Sequence, residues 1–154
     1  MEPASIVVAA EAPSGADAVA LTRELDRELR ALYPEASIHG VTRSQLLAPR
    51  AAFLVARIGG EAVGCGALRS LDDSAGEIKR MFVRKDFRGR GIGRRILAEL
   101  EAVARGHGLR VLRLETGIAQ PDAIRFYESA GYRRIPCFGE YAEDPRSMCF
   151  EKGL

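Results

Sequence analysis

Apolar positions along the chain fall into short β-branched runs and longer stretches of helical period, punctuated by glycine and proline. Ser5 to Ala10 (SIVVAA) reads as an edge strand. Ser14 offers a cap for a helix in which Ala18, Leu21, Leu25, Leu29 and Leu32 recur at helical spacing, until Tyr33-Pro34 ends it. Residues 35 to 50 carry little pattern and predict a loop-rich flap, with one short helix near Thr42 to Leu47. Ala51 to Ile58 and Glu61 to Arg69 are strands joined at Gly59-Gly60, a two-residue hairpin signal. After a turn at Asp72 to Gly76, Glu77 to Val83 is a third strand of this group. Ile92, Ile96, Leu100 and Val103 mark one helix face, which closes at Gly106-His107-Gly108. Leu109 to Thr116 is a strand, and Pro121 to Ala130 a short helix with proline at its start and Gly131 past its end. Tyr132 to Ile135 and Met148 to Lys152 predict two last strands around a loop rich in Gly, Pro and Asp.

The order β-α-(α)-β-β-β-α-β-α-β-β contains no internal repeat and no linker, which predicts one domain over residues 1–154. Its central hairpins imply a mixed sheet flanked by helices, an α/β (α+β) arrangement unlike the strict alternation of a Rossmann domain. With 154 residues, 47% hydrophobic and 29% charged, the chain has the size and balance of one globular core. No run approaches the roughly 20 apolar residues of a membrane span. The first residues, MEPASIVVAA, lack the basic start of a signal peptide, so a cytoplasmic location is expected. Cys65, Cys137 and Cys149 form no CxxC or Cys/His cluster, and neither a metal site nor a disulfide is expected; Cys149 reads as a buried structural thiol.

Charge changes the picture at one place. The net charge is +2, yet eight basic residues lie between Lys79 and Arg95 against the single acid Asp86, leaving the remainder of the chain net acidic. Inside this segment FRGRGIGRRIL sets three glycines between a strand and a helix. It is not a dinucleotide fingerprint, because Arg94 stands where a third glycine is required, nor a P-loop, which needs wider glycine spacing and a Lys-Ser/Thr. A nucleic-acid surface is disfavoured, since only Phe82 and Phe87 interleave with the charges. A helix N-terminus preceded by Gly89, Gly91 and Gly93 exposes free N–H groups to an anion, with Arg88, Arg90 and Arg94 as further donors. A solvated basic turn is the alternative for these residues taken alone.

The stretch EIKRMFVRKDFRGRGIGRRIL resembles motif A of the GNAT superfamily of N-acetyltransferases, whose signature is R/Q-x-x-G-x-G/A; Arg88, Gly91 and Gly93 fall on its fixed positions. LETGIAQPDAIRFYESAGYRRI is similar to the second block of that family, with its short helix, aromatic-Tyr pair and Gly-aromatic ending. The resemblance implies a sheet that splays between two parallel strands and a pyrophosphate of acetyl-CoA bound by Arg88, Gly89, Arg90, Gly91, Ile92, Gly93 and Arg94. It also implies that Met81, Phe82 and Val83 pair through their backbone with the pantetheine arm, with Gln120 and Phe126 beside it. Gln120 departs from the family pattern, which often has Asn there.

The resemblance further implies Tyr127 as the acid that protonates the departing thiolate, while a packed core tyrosine is the alternative. Glu77 stands where histone-type relatives carry a glutamate base, with Glu115 and a water-mediated route as competitors. Alternation places Glu77, Lys79 and Met81 on one face of the strand and Ile78, Arg80 and Phe82 on the other, so Glu77 is expected to bind and orient the acceptor. No metal is expected. The expected partner is a small-molecule primary amine and not a nucleic acid or a membrane, with the protein a monomer or homodimer. A peptide acceptor drawn to Glu140, Glu143 and Asp144, or a non-catalytic acyl-CoA sensor, are the alternatives. His39 and His107 read as solvent-exposed.

Overall fold

A computed structural model describes residues 5–154. Its elements are β1 (Ile6–Ala10), α1 (Ala16–Leu32), α2 (Arg43–Leu47), β2 (Ala52–Ile58), β3 (Glu61–Ser70), β4 (Ala75–Val83), α3 (Ile92–Gly106), β5 (Val111–Gly117), α4 (Pro121–Ser129), β6 (Arg133–Ile135) and β7 (Ser147–Gly153), with three one-turn 3-10 segments in the loops. The strands form one sheet in the order β1-β2-β3-β4-β5-β7-β6. Only β4 and β5 run parallel; the other neighbours are antiparallel. The mixed, mainly antiparallel sheet read from the sequence is therefore present, as is β1 at an edge.

Helices cover both faces. On one side Ala18, Leu21 and Leu25 of α1 pack on Phe53, Val55, Cys65 and Phe82. On the other, Ile92, Ile96, Leu97 and Leu100 of α3 join Leu54, Val63, Leu68 and Ile78, with Tyr127 of α4 in the same cluster. Alternation of the β2 and β3 side chains between these clusters explains why both strands are buried almost throughout. The Gly59-Gly60 turn has φ of 56° and 83°, the left-handed pair that a tight hairpin needs. The α1 cap differs from expectation: Gly15, not Ser14, is the N-cap, and no side chain caps it. Thr42 caps α2 with a reciprocal bond to Gln45.

Two features of β4 shape the site. Its register with β5 runs only from Ala75↔Val111 to Ile78↔Leu114, so the strands part immediately after Ile78. Arg80 has φ of 57°, and the β3–β4 register shifts between Cys65 and Ala67. This is a β-bulge, which inserts an extra residue and redirects the strand. It corrects the simple alternation: Met81 and Val83 pack with Ile78 on the α3 side, while Phe82 packs under α1 and Arg80 donates to Thr22 O and Asp26 of that helix. The cysteine expectation is also corrected. Cys137 and Cys149 form a disulfide across the β6–β7 loop, their Cα atoms 5.0 Å apart. Residue spacing gave no sign of it, because the β6–β7 pairing that sets Ile135 opposite Cys149 is what brings Cys137 within reach.

Candidate active site

The parted strands open a cavity of about 110 Å³. Lys79 and Glu115 flank its vertex, each the first residue beyond the last β4–β5 pair, and Met81, Gln120, Tyr127 and Tyr141 add to its wall. Past Ile78 the β5-facing backbone edge of β4 has no partner strand, so an extended ligand can complete it.

Tyr127 sits on the buried face of α4, set by Phe126 in edge contact at 5.1 Å and Tyr132 at 6.0 Å. Its ring is core, yet its hydroxyl faces the cavity and makes no hydrogen bond among the described residues. Burial, then the charge of Glu115, raise its pKa above the usual phenol value, so the hydroxyl stays protonated and available to donate. Glu115 reaches the cavity from β5. One of its oxygens accepts from Ser147 Oγ at 2.6 Å, and burial lifts its pKa above the ordinary carboxylate range.

Glu77 lies elsewhere than the sequence suggests. It is fully buried and does not line the cavity. Arg69 Nε donates to one oxygen at 2.7 Å and the Tyr141 hydroxyl to the other at 2.6 Å. Lys79 Nζ donates to Tyr141 at 2.5 Å and to His39 O at 3.3 Å, standing 3.9 Å from Glu77. Burial lowers the Lys79 pKa. Tyr141, only 2% exposed, is thus the link between the cavity and the buried carboxylate. Its role is invisible in a loop sequence whose neighbours are glycine and glutamate. His39 is not solvent-exposed as expected. Its Nε2 lies 2.8 Å from Asp144, which also accepts from Ser37, and this bridge ties the flap after α1 to the loop before β7.

At the other end of the fork, α3 begins at Gly91 with φ of 82°, preceded by Gly89 at 78°. Nothing lies within 4 Å of where a Cβ would sit at either, so backbone conformation demands these glycines and the space above them is open. The first N–H groups of α3, at Ile92, Gly93 and Arg94, precede the helix's own acceptors. Ile92 itself is buried in the core. At Gly93 a Cβ would rest 3.5 Å from the Phe126 ring, in the crevice between α3 and α4. The arginines divide. Arg90 and Arg94 are exposed, with Arg90 over the Phe87 ring at 5.1 Å and Arg94 3.4 Å from Ser129 Oγ. Arg88 is a bracket, donating to Val83 O at 2.8 Å and to both oxygens of Glu28 on α1. Gln120 Oε1 accepts from Tyr33 and from Gly117 N, leaving its amide nitrogen to the cavity wall.

An open edge strand, a helix N-terminus with exposed arginines and a phenol in the cavity wall have the shape and charge that a long, phosphate-bearing thioester would need. The profile of the Acetyltransferase (GNAT) family matches residues 18–132, and the chain belongs to that family. It is an acyl-CoA-dependent acetyltransferase. An IAA acetyltransferase of Azospirillum brasilense is 43% identical over 151 residues, covering 97% of this chain and 99% of that one. The crystal structure of an acyl-CoA N-acyltransferase from Klebsiella pneumoniae shares 35% identity, with a TM-score of 0.83 over 97% of both chains. A GNAT family acetyltransferase from Elizabethkingia anophelis, solved with acetyl-CoA bound, has the same fold at 18% identity, with a TM-score of 0.72 over 97% of this chain and 98% of that one. Among the described residues no helix is long and apolar enough to cross a membrane, and no group of three His, Cys, Asp or Glu is arranged for a metal.

Proposed function

We propose that this single-domain enzyme moves the acetyl group of acetyl-CoA onto the primary amine of a small molecule, in the cytoplasm where that thioester is made. The observation that carries the small acceptor is the bridge of His39 and Ser37 to Asp144. It joins flap and late loop over the cavity, where an extended peptide would need an open groove. It also turns Asp144, one of the acids that a basic peptide would seek, inward to 8% side-chain exposure.

In this reading the α3 N-terminus with Gly89, Gly91, Gly93, Arg90 and Arg94 holds the pyrophosphate, and Arg88 fixes the loop by its bracket to α1. The β4 edge at Met81 to Val83 receives the pantetheine arm, bounded by Gln120 and Phe126. Glu115 accepts the proton of the bound ammonium, a task suited to a carboxylate whose pKa burial has raised toward the working pH. The neutral amine attacks the thioester carbonyl; as the tetrahedral adduct collapses and the C–S bond breaks, Tyr127 donates its proton to the departing thiolate and regains one from the nitrogen that becomes the amide. Glu77, neutralised by Arg69, acts through Tyr141 and Lys79, holding the cavity wall without touching the acceptor.

The test is a panel of amines with acetyl-CoA, read as free thiol released and as acetylated product by mass spectrometry. Turnover with small amines and none with basic peptides is expected. The reverse preference would move the assignment to a peptide acetyltransferase, and CoA binding without turnover on any amine would leave an acyl-CoA sensor.

A further inference from the structure

Resting on the acetyl-transfer reading, we propose that the acceptor carries an anionic group, a carboxylate or phosphonate, which Arg146 binds while the amine reaches Glu115. A second, smaller cavity of about 40 Å³ adjoins the first, and Glu115, His39 and Gln120 line both. Its far wall is Arg146. That volume is about three times the ~10–15 Å³ that a cavity needs to hold one water, room for one small anionic group.

Arg146 is held for this task. Its backbone N–H donates to Asp144 Oδ1 at 2.9 Å, and its carbonyl accepts from Ile118 N at 3.0 Å. Its guanidinium makes no hydrogen bond or ion pair among the described residues, although Asp144 lies two positions away. The Asp144 oxygens are taken by His39, Ser37 and the Arg146 amide. The other lysine and arginine lining the joined cavities are committed: Lys79 to Tyr141 and His39 O, Arg80 to Thr22 O and Asp26 on α1. Arg146 is therefore the one arginine or lysine lining the joined cavities whose side chain is wholly uncommitted among the described residues, and a planar fork of donors fits a carboxylate or phosphonate in two-point contact.

At the other end, Glu115 has one oxygen on Ser147 and the second left for an ammonium. Opposite charges lining one cavity, with Leu29, Tyr33 and Ile38 in the same wall, complement a zwitterion whose amine and anion are joined by an apolar spacer. Net charge does not reveal this, because the two groups sit in different segments and cancel.

The experiment compares kcat/KM for apolar amino acids, their primary carboxamides and the corresponding aminoalkylphosphonates, with the wild-type chain, Arg146→Gln and Arg146→Lys. A hydrogen-bonded charge pair contributes ~1.5–3 kcal/mol, so the wild type is expected to prefer acids over amides by roughly 10- to 100-fold. Preference for acid or for phosphonate tells which anion the site takes. Arg146→Gln is expected to raise KM for the anionic acceptor by that factor, with kcat and the rate on amides unchanged; Arg146→Lys recovers part of the loss. Melting curves confirm folding of these surface variants. Equal wild-type rates on acids and amides, or an Arg146→Gln loss that is the same for both, would overturn the proposal and leave acetyl transfer standing. No acetylation of any amine, with CoA still bound, would overturn both.

Discussion

A tyrosine whose ring is buried and whose hydroxyl lacks a partner is unusual, because buried phenols ordinarily find one. Tyr127 has none among the described residues, and its proposed donation to a leaving thiolate would supply one; Tyr127→Phe isolates that role since it keeps the ring packing. Turnover is expected to fall roughly 10²–10⁴-fold, with the CoA-induced rise in melting temperature unchanged; undiminished turnover would make the tyrosine structural. The two glutamates separate by pH. Glu115 must be ionised to take a proton, so kcat/KM should rise with pH through a midpoint above the ordinary carboxylate range, the direction in which burial moves it. Glu115→Gln should remove that limb and most of the turnover. The same shift has a sign for stability. A folded-state pKa above the unfolded one means that the native chain binds more protons between the two values, so stability falls as pH rises through that window. Removing the buried charge should therefore make Glu115→Gln no less stable than wild type at neutral pH, an inactive protein that melts as high or higher. Glu77→Gln should behave otherwise. It leaves Arg69 short of its charge partner, costing roughly 1–3 kcal/mol because Arg69 is only partly exposed, while the acidic limb of the pH profile survives. Loss of that limb in Glu77→Gln, and its survival in Glu115→Gln, would reverse the assignment.

Within β4, periodicity predicts the strand but not its bulge. Alternation holds from Glu77 to Lys79 and fails at Arg80, a residue whose type gives no sign of a left-handed φ. Lys79, still in phase, stands at the fork vertex where the β4–β5 pairing ends, while the bulge at Arg80 turns Met81 to the α3 side and into the cavity wall. The glycines before α3 are readable for the opposite reason: Gly91 at φ 82° occupies a conformation that side chains resist, and that need is written in the residue type. Gly93 is different, lying inside the helix with no conformational demand, its absent side chain opening the crevice toward Phe126. This makes Gly93→Leu the cleaner probe of the cofactor channel, since the family motif itself admits alanine at this position. Its Cβ would meet Phe126 at an ordinary contact distance, its branched end would fill the crevice, and replacing glycine at a helical position by leucine stabilises by up to about 1 kcal/mol. The variant should melt at or slightly above wild type yet lose most of the stabilisation by CoA, measured as the ligand-induced shift. A full shift would show that the crevice is not the channel.

For the whole molecule, local pattern carries the order of elements because each strand and helix repeats its environment along the chain. It cannot carry the encounters between distant loops, and here the site depends on them: His39 with Asp144, Tyr141 with Glu77, Cys137 with Cys149. The disulfide closes the loop that delivers both Tyr141 and Asp144 to the cavity, over a sequence separation of 12. Cross-linking a loop of that size restricts the unfolded chain by up to about 3 kcal/mol. The third cysteine, Cys65, is fully buried and its thiol is pushed up to about 12 by burial, which leaves almost no thiolate at neutral pH. Thiol counting with a chromogenic disulfide reagent therefore has a definite expected outcome for the air-oxidised protein. The native chain should show no fast-reacting thiol, the denatured chain one, and the denatured, reduced chain three. Cys137→Ser should lower stability by no more than the cross-link contributes. Because the binding edge of β4 and the N-terminus of α3 lie outside the closed loop, the CoA-induced melting shift should be retained while the acceptor KM rises. Three thiols in the denatured, unreduced chain would show that Cys137 and Cys149 stand unbonded, since native Cys149 is buried and would stay slow either way. An unchanged acceptor KM in Cys137→Ser would show that the flap bridge alone holds Tyr141 and Asp144 in place.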